Sequence, residues 1–418
     1  MSMTYFDFHI HGRYSRATSK DITISNLARC GKWKGLTLLG TGDFTHPEWL
    51  RELKQNLTEI DGTGVYESKE GFSFMLTGEV ATIFNAGGKL RKVHHVLAAP
   101  NFEVVDQIND ALSKWGRLDY DGRPIFGKTA AELVELCRNI SQEVIIVPAH
   151  IMTPWFGVFG SNSGFDSIEE CYQDQTKHIF ALETGLSADP KMLWRISSLD
   201  RFAFVSNSDS HSANVIRLGR EFNALSLDNL AYRDVWDAIK SKDPNRFLFT
   251  GEVPPSLGKY HFDGHRDCNF VLDPVQSKKQ NNICAVCRKK LTIGVAHRVE
   301  ELADRPEGYA PSNPVPFKTL LPLAELVAMV INQQLGTKKV WEQIMKLIGA
   351  FGSELNVLLD ASESRLLELT SPALVSAIMK NRIGKIRVKP GYDGVYGVPL
   401  LDEKVEVRKN PQTSLSQF

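Results

Sequence analysis

The sequence predicts an α/β protein built on a parallel sheet, followed by a small metal-binding module and a helical C-terminal region. Between residue 1 and about residue 255, short apolar runs alternate with segments of helical periodicity. Repeated strand–helix–strand units form parallel sheets, and such sheets can close into barrels. Beyond this part, residues 265–287 carry closely spaced His and Cys, and residues 318–380 have a helical apolar period.

The first 255 residues contain six apolar runs with the composition of strands, in addition to an opening strand. We predict these strands at 35–43, 72–80, 92–99, 143–150, 178–185 and 201–209. The segments between them predict helices at 47–57, 102–115, 129–139, 189–199 and 229–242. Changes in composition divide the chain into segments 1–255, 256–304 and 305–400 and a disordered tail, 401–418.

The charge of the chain is balanced, with 49 basic and 49 acidic residues, so partners must be inferred from local charge. No apolar run is long enough to span a membrane, and the N-terminus lacks an export signal. Cys30, Cys137 and Cys171 stand singly in apolar contexts and predict buried thiols rather than a disulfide framework. We therefore expect a soluble cytoplasmic protein without membrane contact.

The opening stretch "YFDFHIHGRYSR" places Asp7, His9 and His11 at alternating positions, on one face of a strand. The later strands also end in polar side chains, and in parallel α/β folds these ends form the active-site rim. The candidate ligands are His9, His11, Asp43, His46, Glu79, His95, His150, Asp209 and His211. One metal needs three or four protein ligands, so nine candidates predict two or three divalent ions bridged by carboxylates. Imidazole with carboxylate favours zinc, with manganese, iron or magnesium as alternatives.

Three of these assignments have competing interpretations. His46, in "THPEW", fits a turn at the start of a helix equally well. His94 competes with His95, and we prefer His95 because it shares a strand face with Val93 and Leu97. Asp7 is better interpreted as a residue that orients His9 or His11 than as a ligand.

A second metal-binding pattern lies downstream of the predicted sheet. "HRDC" and "CAVC" give His-x-x-Cys followed by Cys-x-x-Cys, which is the ligand spacing of a tetrahedral structural zinc. The predicted ligands are His265, Cys268, Cys284 and Cys287, with His261 as a substitute for His265. A module of this size buries little core, so we expect the zinc to stabilise its fold.

Two basic runs predict contacts with a phosphate backbone. Residues 275–298 contain six basic residues and no acidic one, and "KNRIGKIRVKP" at 380–390 contains five. The predicted DNA-binding residues are Lys278, Lys279, Arg288, Lys289, Lys290, Lys385 and Arg387. An ordinary solvated surface is the alternative for each run, but a phosphoesterase-type metal site beside them favours nucleic acid as the substrate.

Several motifs occur in the order found in the PHP (polymerase and histidinol phosphatase) metal domain, which residues 3–255 resemble. They are "DFHIH", "GTGDFTH", "TGEV", "HHVL", "PAH" and "NSDSHSANVIRLG". The resemblance implies a distorted seven-stranded barrel that holds up to three metals and hydrolyses phosphoesters. It also implies that His9, His11, Glu79 and Asp209 hold one ion, that Glu79 bridges to a second ion held by His95 and His150, and that His211 serves a third.

One stretch departs from the PHP pattern. Many members carry a further His shortly after the opening motif, where this chain has "GRYSRATSK". The third site is therefore expected to use Asp43 or His46 differently, or to be weakly occupied. We assign catalytic roles to Asp43, Glu79, His150 and Asp209.

Nearly the whole chain resembles the endonuclease Q family, on the zinc module, the helical region and the phrases "GKYHFDGHRDC", "HRVEELADRPEGY" and "KPGYDGVYG". The resemblance implies an enzyme that recognises uracil, hypoxanthine, xanthine and abasic sites in DNA. It implies cleavage on the 5′ side of the lesion, leaving a 3′-hydroxyl and a 5′-phosphate. The alternatives are a phosphatase or exonuclease acting on ends or small phosphoesters, and a non-catalytic DNA-binding scaffold.

Lesion recognition requires the damaged nucleotide to leave the base stack. The loop after His150 offers Trp155 and Phe156 as stacking or wedge residues, and Glu183 and Asn207 are candidates for the pocket lining. The expected partner is damaged duplex or single-stranded DNA, bound by a monomer that is nucleoid-associated when on DNA. The closing "TSLSQF" hints weakly at a sliding-clamp partner.

Overall fold

The computed structural model describes residues 2–400. These residues form seventeen strands, and seven of the strands close into a distorted barrel. The strands are β1 Ser2–Asp7, β2 Leu38–Gly40, β3 Leu57–Glu59, β4 Tyr66–Ser68, β5 Ser73–Ala86, β6 Lys89–Ala99, β7 Ile125–Phe126, β8 Ile145–Pro148, β9 Ala181–Glu183, β10 Ala203–Val205, β11 Phe222–Leu227, β12 Phe247–Glu252, β13 Asp263–His265, β14 Phe270–Leu272, β15 Phe317–Thr319, β16 Arg387–Lys389 and β17 Val398–Leu400. The predicted tail, 401–418, and its clamp hint lie outside the described residues.

The helices fill the connections between strands and form the C-terminal region. They are α1 Ile24–Lys34, α2 Pro47–Asn56, α3 Phe102–Ser113, α4 Ala130–Ile140, α5 Ile168–Tyr172, α6 Pro190–Leu193, α7 Tyr232–Ser241, α8 Pro274–Lys279, α9 Val295–Leu302, α10 Leu323–Ile331, α11 Lys338–Phe351, α12 Glu354–Leu359, α13 Glu363–Leu369 and α14 Pro372–Arg382. Local sequence sets their ends: Thr129 and Glu132 form a capping box at the start of α4. The predicted helix at 189–199 is instead the short α6 and a 3-10 turn at Ser197–Leu199.

Hydrogen bonding runs round the barrel in the order β1, β2, β5, β6, β8, β9 and β10. The first five strands pair directly, and β9 pairs with β10. The backbone N–H of Ile151, just after β8, donates to the carbonyl of Glu183 at 3.0 Å. A parallel bridge between Ile10 and Ser210 returns the ring to the end of β1. The seven-stranded barrel implied by the sequence is therefore confirmed.

The barrel is mixed: the predicted parallel pairing occurs between β1 and β2, β2 and β5, and β9 and β10, but not around β6. β6 pairs antiparallel with both β5 and β8. β5 and β6 are joined only by Gly87 and Gly88, with φ of 59° and 70°, and so tight a turn can connect only antiparallel strands. The strand pattern resembled a parallel sheet because β5 and β6 are buried over most of their length.

Two apolar clusters place the polar ends of the strands at one end of the barrel. One cluster contains Phe8, Met75, Val96 and Val147 and is covered by Trp236 of α7. The larger cluster packs other strand residues, among them Val93, Leu97 and Ile146, against helices α1 to α5. Neighbouring residues of β6 therefore face different surroundings, which decides the position of its two histidines.

The C-terminal part returns to the rest of the molecule twice. Helices α10 to α14 have a core of their own, yet β15 extends the main sheet by pairing with β12. Near the end, Phe262 N donates to the Gly391 carbonyl, and Gly391 N donates to the Ser256 carbonyl, at 3.0 and 2.8 Å. In residues 2–400, no helix combines the length and the apolarity needed to cross a bilayer.

A buried ion pair joins the barrel to the helical region. Lys34 Nζ of α1 lies 2.9 Å from Glu354 Oε1 of α12, and each side chain is 1% exposed. The same oxygen accepts the N–H of Leu323, at 3.1 Å. We expect Glu354→Ala to lower the free energy of unfolding by about 3–5 kcal/mol, because it leaves a buried ammonium without a partner. Denaturant unfolding measures this difference.

Asp106→Ala is the matched control for the Glu354 variant. Asp106 pairs with Lys54 at 2.6 Å, but the two side chains are 49% and 40% exposed. An exposed pair of this kind contributes at most about 1 kcal/mol. Equal losses of stability in the two variants would contradict the role given to the buried pair.

Candidate metal centre

Five polar side chains surround Glu79 of β5 at the open end of the barrel, and with Glu79 they form a cluster of six. Glu79 Oε1 lies 2.7 Å from His94 Nδ1, 3.3 Å from His9 Nε2 and 3.4 Å from His150 Nε2. Its other oxygen, Oε2, lies 3.6 Å from His11 Nε2. The members form two groups of three, each with its ligand atoms within 4.8 Å of one another: His9, His11 and Asp209, and Glu79, His94 and His150.

Three imidazole rings are held from behind, so that their other nitrogen faces the cluster. His9 Nδ1 lies 3.0 Å from both carboxylate oxygens of Glu183. His11 Nδ1 lies 3.0 Å from Asp43 Oδ1, and His150 Nδ1 lies 2.9 Å from Thr153 Oγ1. Partners of this kind fix the tautomer and the orientation of metal-binding histidines.

The cluster has the chemistry of a divalent-metal site. His9 Nε2 and both oxygens of Glu79 are fully buried, yet none of these atoms has a hydrogen bond of good geometry, although His94 Nδ1 lies 2.7 Å from Glu79 Oε1. Buried polar atoms without partners are costly, and a bound cation would satisfy all three. Four imidazoles and two carboxylates are the donor types that zinc and manganese accept. These residues therefore fit divalent metals.

The two carboxylates of the cluster are held in their ionised form. Burial alone would raise the pKa of Glu79, but the imidazoles of His94 and His9 outweigh it and hold that pKa well below its usual range. Burial likewise opposes ionisation of Asp209, and His211, His11 and His9 hold its pKa well below its usual range. Ionised carboxylates are the forms that coordinate metals.

The strand ends adopt backbone conformations that are rare outside glycine. Asp43, His150 and Asp209 have φ of 47°, 29° and 47°. Such conformations cost free energy, and they cluster at functional sites where the surrounding structure enforces them. Gly185 packs against His150 so closely that a Cβ on it would lie 2.6 Å from His150 Cβ. The polar strand ends are therefore turned into the cluster by irregular backbone.

The choice of His95 over His94 was wrong. His95 points into the apolar layer between strands and helices, where Nδ1 meets the Tyr172 hydroxyl at 2.8 Å and Nε2 meets Thr82 Oγ1 at 3.0 Å. Burial lowers its pKa to about 3. The face it shares with Val93 and Leu97 is the packed face of β6, and His94 on the opposite face joins the cluster.

Replacing each of the two histidines in turn tests this correction. We expect His94→Ala to lower the metal bound per chain and the cleavage rate by about 10²-fold or more, since it removes a ligand. His95→Gln should keep both, at a stability loss of about 1–3 kcal/mol from its two broken hydrogen bonds. Elemental analysis and a cleavage assay distinguish the two variants. Loss of metal in the His95 variant alone would restore the original assignment.

The structure does not bring Asp43, His46 or His211 into either ligand group. Asp43 stands behind His11, and its second oxygen accepts from Gly12 N and Ser15 Oγ, both at 2.6 Å. His46 precedes α2, and its ring stacks on Tyr14 at 4.6 Å between centroids. His211 lies beside His11, 4.4 Å between centroids. Asp43 is thus a positioning residue. Tyr14, which lies beside His46, belongs to the stretch "GRYSRATSK", where the chain differs from the PHP pattern.

Three further residues have roles other than those predicted. Asp7 does not orient a histidine, because its carboxylate accepts from Ser208 N, Ser208 Oγ and Gly219 N, at 3.1, 2.5 and 3.0 Å. Glu183 and Asn207 do not line an open pocket: they are 0% and 3% exposed and bond to each other at 2.9 Å. All three are internal supports for the ends of β1, β9 and β10.

The aromatic residues of the loop after His150 lie beside the cluster. The ring of Phe156 packs on His94, with centroids 4.2 Å apart, and that of Trp155 is 40% exposed. Trp155 contacts Tyr260 edge-on, with centroids 5.4 Å apart. The loop therefore presents one exposed aromatic ring and one that supports a ligand.

The four predicted zinc ligands come together as a second group. His265, Cys268, Cys284 and Cys287 have their ligand atoms within 4.8 Å of one another, and His261 is not in the group. His265 ends β13 and Cys268 ends the following 3-10 turn, while the Cys284 N–H bonds to the Lys289 carbonyl at 2.8 Å. One His and three Cys at this spacing fit a tetrahedral zinc.

The zinc module rests on the loop that follows His150. Arg298 of α9 donates to the carbonyls of Phe159 and Phe165 at 2.9 and 3.0 Å, and Ser161 Oγ donates to the Ile293 carbonyl at 3.1 Å. Arg298 belongs to the first basic run, but its side chain has a structural role in holding this loop. The predicted DNA-binding residues are all exposed: Lys278, Lys279, Arg288, Lys289, Lys290, Lys385 and Arg387.

Sequence reasoning missed one cation at the cluster. Arg123 precedes β7, and its Nη1 lies 3.7 Å from Glu79 Oε2. The stretch "YDGRP" carries only turn signals, because Asp, Gly and Pro indicate a loop whatever side chain stands between them. Only the pairing of β7 with β5 brings it to Glu79.

Comparison with known proteins gives matches over part and over nearly all of the chain. Residues 322–385 match the family model of the MJ0043 C-terminal domain. The uncharacterized protein MJ0043 of Methanocaldococcus jannaschii is 35% identical over 260 residues, 61% of this chain and 32% of that protein. The uncharacterized protein YqxK of Bacillus subtilis is 29% identical over 413 residues, 95% of this chain and 99% of that protein.

Two solved structures match nearly end to end. The lesion-specific endonuclease PfuEndoQ of Pyrococcus furiosus has a TM-score of 0.85 and 32% identity, covering 97% of this chain and 98% of that one. Endonuclease Q in complex with a 27-mer duplex substrate, with an abasic lesion at the active site, has a TM-score of 0.86 and 33% identity, covering 96% and 98%.

The barrel and its cluster of histidines and carboxylates are those of a metal-dependent hydrolase. The zinc-ligand group and the five C-terminal helices are further parts of the same chain. With about a third of its residues identical across a whole solved relative, the chain belongs to the endonuclease Q family.

Proposed function

We propose that the chain is a DNA repair endonuclease that recognises deaminated bases and abasic sites and hydrolyses the phosphodiester on the 5′ side of the lesion. The observation that carries the proposal is the match to an endonuclease Q bound to a duplex with an abasic lesion, which covers 98% of the length of that endonuclease. Uracil, hypoxanthine and xanthine are the proposed deaminated bases.

The proposed metal ligands are Glu79 and the five side chains around it. His9, His11 and Asp209 would hold one ion, His94 and His150 a second, and Glu79 lies between the two groups. Bound divalent ions, zinc with magnesium or manganese as alternatives, lower the pKa of water and neutralise charge on a phosphate. Glu183 and Asp43 keep the rings of His9 and His11 turned toward the cluster. His211 is a candidate ligand for a third ion.

Lesion choice is proposed to depend on the loop after His150. A damaged nucleotide must be turned out of the duplex, which costs least where pairing is already weak or the base is missing. Trp155 is exposed enough to stack on a base or fill the vacated space, and Phe156 lies one residue further, against His94. The damaged nucleotide would thus be held next to the metal ligands.

The two basic runs are proposed to contact the DNA backbone. We expect replacement of Lys289, Lys290, Lys385 and Arg387 by Gln to weaken binding and to lower the slope of log K against log salt by about 0.9 for each phosphate that is no longer neutralised. Fluorescence anisotropy at several salt concentrations measures the slope. The exposed Lys338 and Lys339, outside both runs, give the control variant. An unchanged slope would place the four residues away from the DNA.

A covalently closed circular duplex with a single deoxyinosine or abasic site tests the proposed function. A lesion endonuclease nicks this circle once, whereas an exonuclease or a phosphatase finds no end to act on. The matched circle without a lesion should stay closed. Failure to nick the lesion circle with any divalent ion would overturn the proposal, and a scaffold protein would bind without nicking. A monomeric state, a sliding-clamp partner and a nucleoid-associated cytoplasmic location remain predictions from the sequence.

A further inference from the structure

Arg123 differs from three other arginines, which lie in the loops after β1 and before β7. Arg13 pairs with Glu52, Arg16 with Asp121, and Arg117 binds Asp119 through two nitrogens. Within residues 2–400, the one close carboxylate contact of the Arg123 guanidinium is with Glu79, and at 3.7 Å it is longer than a hydrogen bond. Its side chain is 23% exposed, so this charge is mostly withdrawn from water without a matched partner.

The backbone around Arg123 is fixed to the machinery of the cluster. Gly122 lies so close to Asp43 that a Cβ on it would stand 2.5 Å from Asp43 Oδ2 and 2.2 Å from Ser15 Oγ. On the other side, the Pro124 carbonyl accepts the N–H of Ala81 at 2.9 Å, two residues along β5 from Glu79. Arg123 is thus anchored between the support of His11 and the strand that carries Glu79, and its aim toward the cluster is built in.

The charge balance indicates what Arg123 is for. The cluster contributes two carboxylates, and metal ions held there would engage Glu79 and leave a net positive site beside a guanidinium. An arginine in such a position is stable only if an anion completes the site. A planar guanidinium matches the two non-bridging oxygens of a phosphodiester. The guanidinium of arginine stays protonated in proteins, so this side chain is charged.

We propose that Arg123 is a catalytic residue that binds a non-bridging oxygen of the scissile phosphate and stabilises the charge that develops there. The inference rests on the phosphodiester hydrolysis proposed above. In that reaction the oxygen of water bonds to phosphorus, the bond from phosphorus to the 3′-oxygen breaks, and the two protons of water end on the 3′-hydroxyl and in solvent. Arg123 transfers no proton, and its contribution is electrostatic.

The test compares Arg123→Ala and Arg123→Lys with Arg117→Ala, a control on the same loop. Each is assayed for single-turnover cleavage of a lesion duplex, hydrolysis of bis(p-nitrophenyl) phosphate, affinity for the lesion duplex and metal content. We expect Arg123→Ala to lower both rates by about 10²-fold while affinity changes by less than about 5-fold and metal content stays the same. Arg123→Lys should recover part of the rate, and added guanidinium should partly rescue the Ala variant.

Three results would overturn the inference. They are wild-type rates in Arg123→Ala, a loss of metal in that variant, which would give Arg123 a role in holding Glu79, and a loss of affinity with an unchanged rate. Failure of the proposed function is distinguishable from these. A wild-type protein that hydrolyses the small diester through Arg123 but leaves lesion DNA intact refutes the endonuclease and supports Arg123. Hydrolysis of neither substrate refutes both.

Discussion

Glu79→Gln abolishes cleavage, with an expected loss of at least about 10³-fold in single-turnover rate. Glu79 belongs to one ligand group and faces the other, with Oε1 toward His9, His94 and His150 and Oε2 toward His11. Gln keeps the shape of the side chain but removes its charge and one of its two acceptor oxygens. A single substitution is therefore expected to weaken metal binding in both groups.

The fold should survive this replacement. Glu79 is buried, and Gln has nearly the same size and shape, so the replacement costs little in packing. Circular dichroism and thermal unfolding check this point, and lesion-DNA affinity should remain within several-fold of wild type. Glu67→Gln, an exposed position on β4, is the control. A Glu79 variant that cleaves at a wild-type rate would show that the cluster is not the catalytic centre.

Cys284→Ser unfolds the zinc module and lowers cleavage of lesion DNA by about 10²-fold or more, our second large expected effect. Cys284 is fully buried among the other three ligands, and the module has little apolar core of its own. Zinc binding supplies most of the folding free energy of such modules. Because Arg298 and Ser161 bind the module to the loop after His150, its loss also releases Trp155 and Phe156.

The substrate separates this effect from damage to the metal cluster. None of the six side chains of the Glu79 cluster comes from the module, so hydrolysis of bis(p-nitrophenyl) phosphate should fall much less than cleavage of lesion DNA. One zinc per chain should be lost. Cys30→Ser is the control, because Cys30 is a buried thiol outside the Glu79 cluster and outside the zinc module. Equal losses on both substrates would mean that the module supports the whole chain rather than the handling of DNA.

Strand positions and polar strand ends were predictable because both follow from local patterns. Alternation in "DFHIH" gave His9 and His11, and the end of a buried run gave Glu79, His150 and Asp209. The zinc ligands followed from spacing alone. These signals are local, and they are the ones that sequence reasoning recovers.

The wrong assignments share a cause. Each depended on which side of a strand a residue would occupy, or on which residue would lie next to it in the fold. His94 and His95 are adjacent. The face that His95 shares with Val93 and Leu97 is the packed side of β6, so sharing that face argues against a ligand. Glu183 and Asp43 are polar strand ends like the proposed ligands, yet they stand behind His9 and His11. A one-residue difference reverses the side of a strand, and a supporting carboxylate has no local signature.

The central claim is that the Glu79 cluster is a metal site that cuts DNA at lesions. The most direct test measures, on the same preparations, metal bound per chain and nicking of a single-lesion circle, for wild type and Glu79→Gln. We predict that wild type carries the module's zinc and further divalent metal and nicks the circle, whereas Glu79→Gln keeps one zinc and does not nick. Nicking by the variant at the wild-type rate, or by wild-type protein stripped of its cluster metal, would contradict the claim.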